Sequence, residues 1–157
     1  MSSLKWLDMK IHVGGVRFSC AHFVEVEGVF EHLHGHNFKV SADVSARGET
    51  GMVMDFRKLQ AVLEEVTSPM DHRFLLPGRN PNLSTSMSGS SYDIVAGGKR
   101  YRMPETDVVV LPIGNSTAEE IGRHIYDRVS GVLPGGVSLT RVILEEAEGK
   151  QAIIESS

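Results

Sequence analysis

The sequence predicts an α+β domain whose strands pair antiparallel. Three observations predict it. Residues 10–22 and 34–45 alternate apolar and polar side chains with the period of two that marks a half-buried strand. The segments after Asp55 and Ser116 repeat their apolar residues at helical spacing, and residues 137–146 and 150–155 form a last pair of strands around Glu148-Gly149-Lys150. The order strand, strand, helix, insertion, helix, strand, strand is that of an α+β domain with antiparallel pairing. At 157 residues the chain reads as one domain, residues 1–157, long enough to bury a core.

In the first strand Val16, Phe18, Cys20 and His22 share one parity, and Arg17, Ser19 and Ala21 share the other. Gly14-Gly15 interrupts the run and marks a bulge or bend. In the second strand His34, His36, Phe38, Val40, Ala42 and Val44 fall on one face. Asn37, Lys39, Ser41, Asp43 and Ser45 fall on the other. Joined by residues 23–33, the two strands form an antiparallel hairpin with a long connection. Their apolar faces end in histidine at the same end: His22 closes the first strand and His34 opens the second.

Gly51-Met-Val-Met-Asp55 reads as a turn with Asp55 as N-cap. Phe56, Leu59, Val62, Leu63 and Val66 then form the apolar stripe of a helix that Pro69 helps to stop. Residues 77–106 are rich in Ser, Gly, Pro and Asn and read as an insertion. Within it, Tyr92–Tyr101 suits a small hairpin over Gly97-Gly98, and the composition suits a mobile surface loop equally well. Val108–Leu111 is a short apolar run before Pro112. Ser116-Thr-Ala-Glu119 has capping-box spacing and opens the second helix, whose stripe is Ala118, Ile121, Ile125 and Val129 and whose end is Gly131.

Hydrophobic residues make up 41% and charged residues 23%, ordinary globular usage, and the formal charge is −4. No basic surplus points to a phosphate backbone, so nucleic acid is not expected as a partner. The single cysteine, Cys20, allows no intrachain disulfide and fits a reducing compartment. No apolar run approaches the ~20 residues of a membrane span, and Met1–Trp6 lacks the apolar stretch of a signal peptide. No membrane partner and a cytoplasmic location are therefore expected.

Four of the seven histidines lie at or near one short stretch: His22, His32, His34 and His36, with Glu31 beside them. Imidazole suits zinc, and three histidines with one open position make a catalytic zinc arrangement. Neighbours at i and i+2 on a strand project from one face about 7 Å apart, close enough to converge on one ion, whereas His32 and His36 would stand about 13 Å apart. His22 on the adjacent strand is the better third ligand. His22, His34 and His36 are the expected set, weighed against ordinary structural histidines. The absence of an acid among residues 37–41, after His36, argues against a cupin site, whose His-x-His is followed three or four residues later by a glutamate ligand.

Two further constellations stand out. Asp71-His72 follows the first helix; an acid beside an imidazole orients it and raises its basicity, and the same pair suits a plain surface turn. Glu146 shares parity with Val142 and Leu144, so its carboxylate either meets a polar ligand or sits at a wet strand end. Cys20 lies among small and apolar positions with no cation beside it, so its expected role is packing.

Together these motifs resemble the 6-pyruvoyl-tetrahydropterin synthase family, which includes the 6-carboxy-tetrahydropterin synthases. The matching pieces are Phe18-Ser-Cys-Ala-His22, Leu33-His-Gly-His-Asn37, Gly51-Met-Val-Met-Asp55-Phe56, Met70-Asp-His72, Asn115-Ser-Thr-Ala-Glu119 and Val142-Ile-Leu-Glu-Glu146. They occur in family order over most of the chain, with residues 77–106 unmatched. The resemblance implies the tunnelling fold, in which subunits, each an antiparallel four-stranded sheet with two helices on one face, join their sheets into a trimeric barrel and two trimers stack into a homo-hexamer with sites between subunits. It also implies Zn2+ on His22, His34 and His36, Asp71 and His72 as an acid/base pair, Glu146 anchoring the pterin ring, and Thr117 in the segment lining the pterin pocket.

One departure bears on the reaction. Family synthases usually carry a catalytic cysteine four residues before the first histidine of His-Gly-His. Phe30 stands there, followed by Glu31. This resembles the branch in which glutamate replaces cysteine and the side chain of 7,8-dihydroneopterin triphosphate is cleaved to 6-hydroxymethyl-7,8-dihydropterin. An ordinary glutamate, with a pKa of about 4.3, is a weaker base than a thiolate, and Glu31 also suits a solvated loop acid. The resemblance leaves open a 6-pyruvoyl- or 6-carboxy-tetrahydropterin synthase, and a pterin- or metal-binding relative without turnover.

Overall fold

The computed structural model describes residues 8–48 and 51–157; Met1–Trp6, read above for targeting signals, lies outside them. The first half comprises β1 (Met9–His22), β2 (Glu25–Val26), β3 (Val29–Phe30), β4 (His34–Ala46), α1 (Phe56–Thr67) and β5 (Arg73–Pro77). The second comprises β6 (Leu83–Ser88), β7 (Ser91–Ala96), β8 (Lys99–Pro104), β9 (Val108–Leu111), α2 (Ala118–Ser130), β10 (Val137–Ala147) and β11 (Lys150–Glu155).

The expected four antiparallel strands lie side by side as β11-β10-β4-β1. The sheet then continues through two strands that pair parallel, β5 on β1 and β9 on β5. Alternation governs the central pair. Val16, Phe18, Cys20 and His22 are buried on β1, as are Phe38, Val40, Ala42 and Val44 on β4. Gly14-Gly15 makes the expected bulge: the register passes from Val13↔Ala42 to Val16↔Val40, two residues facing one. Gly15 takes φ +80°, which glycine adopts without penalty, and the extra residue lets Val13 and Val16, three apart, both face the core.

Both helices cover the same face of this sheet. Leu59 and Leu63 of α1 and Ile121, Ile125 and Val129 of α2 share one cluster with Phe18, Phe38, Val40, Val142 and Leu144. Asp55 caps α1 as expected, accepting from the Arg57 backbone N–H at 2.8 Å. Phe56, read as part of that stripe, is 59% exposed instead, because it stands at the first turn beyond the sheet-facing residues. The cap of α2 moves by one residue. Thr117 is the N-cap and its Oγ1 accepts from Glu120 N–H at 3.2 Å, while the Ser116 hydroxyl donates to the Phe23 carbonyl at 2.7 Å.

Residues 77–106 carry a separate three-stranded antiparallel sheet, β6-β7-β8, and the hairpin over Gly97-Gly98 is its β7–β8 turn. Ile94 and Ala96 join Phe23, Phe30, Phe74, Leu76 and Val108 in a second apolar cluster. The connection between β1 and β4 closes against this cluster. It holds the two-residue hairpin of β2 and β3, whose turn residues Glu27 (φ 50°) and Gly28 (φ 82°) both take the positive φ of a type I′ turn.

Candidate metal centre and active site

The register Cys20↔His36 and His22↔His34 sets the two strand ends face to face. Same-face alternation then turns His22, His34 and His36 together, with one ligand-capable atom from each lying within 4.8 Å of the others. His22 is fully buried. Its Nδ1–H donates to the Ser116 carbonyl at 2.8 Å, which leaves Nε2 unprotonated and aimed at the other two rings. His34 Nδ1 likewise meets the His32 carbonyl at 2.7 Å. Burial pushes the His22 pKa down, against the raising effect of the Ser116 bond, so the ring is held neutral, the form a metal requires.

The donor set fits an ion. His22 Nε2 is buried with no hydrogen-bond partner among the described residues, an orphan that costs free energy unless something else engages it. Glu146, at the register irregularity of β10 and β11, brings Oε1 to 3.4 Å from His22 Nε2 and 3.7 Å from His36 Nε2. His32 contributes its backbone carbonyl to His34 and does not join the cluster.

A cleft of about 350 Å3 opens beside the cluster and is lined by Val24, Glu31, His34, His36, Thr117 and Glu146 among others. Five candidates from three segments therefore meet there: Glu31, His34 and His36 from one stretch, Thr117 and Glu146. The Glu31 Oε2 stands 4.0 Å from His34 Nε2 and accepts from Val24 N–H at 3.3 Å. Phe30 turns the opposite way. It is 5% exposed, and its ring meets Phe23 edge-on at 5.4 Å in the second cluster.

Asp71 and His72 are not brought to that cleft. His72 borders another, of about 540 Å3, which shares only His36 with the first, and Asp71 lines neither. His72 is 81% exposed at its side chain, with Nδ1 2.9 Å from Asp71 Oδ1. Asp71 also accepts from Ser19 N–H at 2.9 Å, and that bond with the His72 contact lowers its carboxyl pKa. The His72 backbone sits in the left-handed region at φ 57°, a conformation costing about 1–3 kcal/mol outside glycine, and is held there by its N–H on the Ser19 carbonyl at 2.6 Å. Cys20 is buried, and burial foremost, then the charges of Glu146 and Asp71, pushes its thiol up to about 12. It is a packing residue, as its neighbours in sequence suggested. A larger cleft of about 1100 Å3, lined by Arg79, Arg123 and His124, holds none of the candidates.

The family model for 6-pyruvoyl tetrahydropterin synthase matches residues 11–157. The chain belongs to that family. As a 6-pyruvoyl tetrahydropterin synthase family member it is an enzyme of the pterin synthases and lyases. Its fold agrees with that of Plasmodium vivax 6-pyruvoyl tetrahydropterin synthase, with TM-score 0.88 at 28% identity over 96% of this chain and 99% of that one. Two variants of the same Plasmodium protein are described as substitutions of a catalytic glutamate, by alanine and by cysteine. Among curated relatives, the dihydroneopterin monophosphate aldolase of Pyrococcus furiosus is 32% identical over 82% of each chain. A Methanocaldococcus jannaschii protein provisionally named 6-carboxy-5,6,7,8-tetrahydropterin synthase is 28% identical over 88% of each.

The sequence reading missed the backbone and amide groups that steady this family site. The Ser116 carbonyl that orients His22 has no side-chain signature. Asn115 grips the backbone of Glu25 from both sides, Oδ1 accepting from Glu25 N–H at 3.0 Å and Nδ2 donating to Glu25 O at 2.8 Å. Only the juxtaposition of Asn115 with Ser116 in a family motif hinted at it.

Proposed function

We propose that this protein is a zinc-dependent pterin lyase that cleaves the side chain of a 7,8-dihydroneopterin phosphate by retro-aldol chemistry, giving 6-hydroxymethyl-7,8-dihydropterin. The observation that carries the reading is the opposite facing of two adjacent residues. Phe30, at the position of the family's usual cysteine, is buried in the second apolar cluster, while Glu31 faces His34 across the cleft. The aldolase name of the Pyrococcus relative and the catalytic glutamate of the Plasmodium protein support it.

His22, His34 and His36 would hold Zn2+, and the ion, when bound, supplies Lewis acidity that lowers the pKa of a side-chain hydroxyl. Glu146 and Thr117 bind the pterin ring, a carboxylate and a hydroxyl suited to the ring's N–H groups and carbonyl. Glu31 takes the proton from the hydroxyl on the second side-chain carbon. The bond between the first two carbons then breaks, its electron pair passing into the pterin while the second carbon leaves as an aldehyde carrying the phosphate. His72, oriented by Asp71, returns a proton to the first carbon. Because neither Asp71 nor His72 lines the cleft of Glu31 within one chain, and His72 borders a different one, the reading includes a homo-hexamer, a dimer of trimers, in which a neighbouring subunit supplies this pair. The reading includes a cytoplasmic location, with neither nucleic acid nor a membrane as partner; among the described residues no helix is long and apolar enough to cross a membrane.

The test is to incubate purified protein with 7,8-dihydroneopterin triphosphate and, separately, the monophosphate, and to identify the pterin by mass spectrometry. The expected product is 6-hydroxymethyl-7,8-dihydropterin with a phosphorylated two-carbon aldehyde. A 6-pyruvoyl or 6-carboxy product would make the chain a synthase. Bound zinc without turnover of any neopterin derivative would make it a binding protein.

A further inference from the structure

Glu31 follows directly on a short hairpin whose residues 26–29 are exposed, yet a proton-transfer group works only at a fixed distance and angle. Its own contacts are local. The Glu31 N–H donates to the Val24 carbonyl at 2.9 Å and its carboxylate accepts from Val24 N–H, so the side chain rides on the position of residues 24 and 25. Glu25, paired with Phe30 across the hairpin, is where that hairpin is tied to the rest of the molecule. Its carboxylate accepts from Asn80 Nδ2 at 2.8 Å and from Asn82 Nδ2 at 2.6 Å. Asn80 is itself buried, and its Oδ1 accepts from Asn82 N–H at 2.8 Å. The main chain of Glu25 is held by both ends of the Asn115 amide, and Asn115 N–H donates to the Glu120 carboxylate of α2. From the other side Lys99 Nζ donates to the Phe30 carbonyl at 3.2 Å.

We propose that Glu25 is the positioning residue for Glu31, and that residues 77–106, through Asn80, Asn82 and Lys99, brace the proton-accepting carboxylate over the histidine cluster. This rests on the reading of Glu31 as the base. The proportion of the contacts argues for it: a charged carboxylate satisfied by two amides, one of them buried, is a stronger tether than a hairpin of two-residue strands has by itself. Among the described residues the side-chain hydrogen bonds of Glu25, Asn80, Asn82 and Lys99 reach none of the histidines, so loosening them alters where Glu31 stands and leaves the metal ligands in place.

The experiment compares Glu25→Ala, Glu25→Gln, Asn82→Ala and Glu31→Gln, each with Glu25 or Asn82 also changed in the Glu31→Gln background. Zinc per chain, KM and kcat are measured. Glu25→Ala is expected to keep its zinc, to hold KM within about threefold and to lose about tenfold in kcat, the scale of a misplaced catalytic group. Glu25→Gln, which keeps a carbonyl acceptor, is expected to recover part of that loss. In the Glu31→Gln background Glu25→Ala is expected to change kcat no further, since a residue acting through another is silent once the other is gone. Equal losses in both backgrounds, or an unchanged kcat in Glu25→Ala, overturn the proposal. If Glu25→Ala does not fold, Asn82→Ala, which removes one exposed bond, decides by the same cycle with an expected loss of about threefold. Full kcat in Glu31→Gln instead overturns the assignment of the base, a result distinct from a silent Glu25 beside an inactive Glu31→Gln.

Discussion

His22 donates from Nδ1 to the carbonyl oxygen of Ser116, a residue 94 positions away in sequence, at 2.8 Å. The bond joins the end of β1 to the start of α2 and settles the tautomer, because a carbonyl can only accept. The remaining nitrogen, Nε2, is buried and has no hydrogen-bond partner among the described residues. A metal ion is the partner it calls for.

The first prediction follows. Purified protein is expected to carry one zinc per chain by elemental analysis, and chelation should abolish activity that added zinc restores. His22→Ala, which also empties a fully buried site, and His36→Ala, at a half-buried one, should each reduce bound zinc to roughly a tenth or less, since two imidazoles do not hold an ion that three were built to hold. Full zinc occupancy in either variant would remove that residue from the ligand set.

Glu31 gives the second. With Oε2 4.0 Å from His34 Nε2, Glu31→Gln keeps the size of the side chain and loses its capacity to take a proton. A fall in kcat of about 10²–10⁴ is expected, with zinc retained and KM changed little. Phe30→Cys should not convert the enzyme to the chemistry of the cysteine branch. A thiol at residue 30 would lie in the second apolar cluster, and loss of the ring should instead destabilise the fold by about 3–5 kcal/mol, read from urea unfolding.

These two residues also show how far the sequence could be read. Alternation along β1 and β4 was legible because each strand has one buried face, so parity alone brought His22, His34 and His36 to one side. Glu31 and Phe30 were not separable that way. They belong to the short β2–β3 hairpin and its exit, where facing is decided by contacts with β7 and β8 that lie some 65 residues downstream. β5 left no pattern because its Phe74, Leu75, Leu76 and Pro77 are all buried, which erases alternation, and it pairs with β1 through only Cys20 and Ala21. The α2 cap was misplaced by one because Ser116 and Thr117 both suit an N-cap. Burial decided: Ser116 lies inside and spends its hydroxyl on the Phe23 carbonyl.

Cys20 gives the third prediction. Its side chain is buried and its pKa is pushed up to about 12, first by burial and then by Glu146 and Asp71. A raised thiol pKa leaves the group protonated at every pH below that value, so Cys20 should resist thiol reagents at pH 8 in the folded protein and react fully once unfolded. Cys20→Ala should keep kcat within about twofold and cost about 1–2 kcal/mol for the lost packing. Rapid labelling of the native protein would contradict the burial.

The last prediction concerns the face of the sheet away from the helices. Asp43 is buried there between His12 and Arg141, accepting from Arg141 Nε at 2.7 Å and meeting His12 Nδ1 at 2.5 Å. Burial alone would raise its pKa, but the His12 and Arg141 hydrogen bonds outweigh it and the net shift is downward. A carboxyl whose folded pKa lies below its unfolded value adds stability above the unfolded pKa, here near 3.8, and that stability fades as pH falls through the folded value. The urea midpoint should therefore drop as pH is lowered from about 5 toward 3. Asp43→Asn should be less stable at pH 7 by roughly 1–2 kcal/mol, a figure held down because the Arg141 side chain is 39% exposed and can recover water. The variant should also lose part of the acid dependence, so the two stability curves converge as pH falls below 4. Parallel curves would mean that Asp43 carries no such linkage.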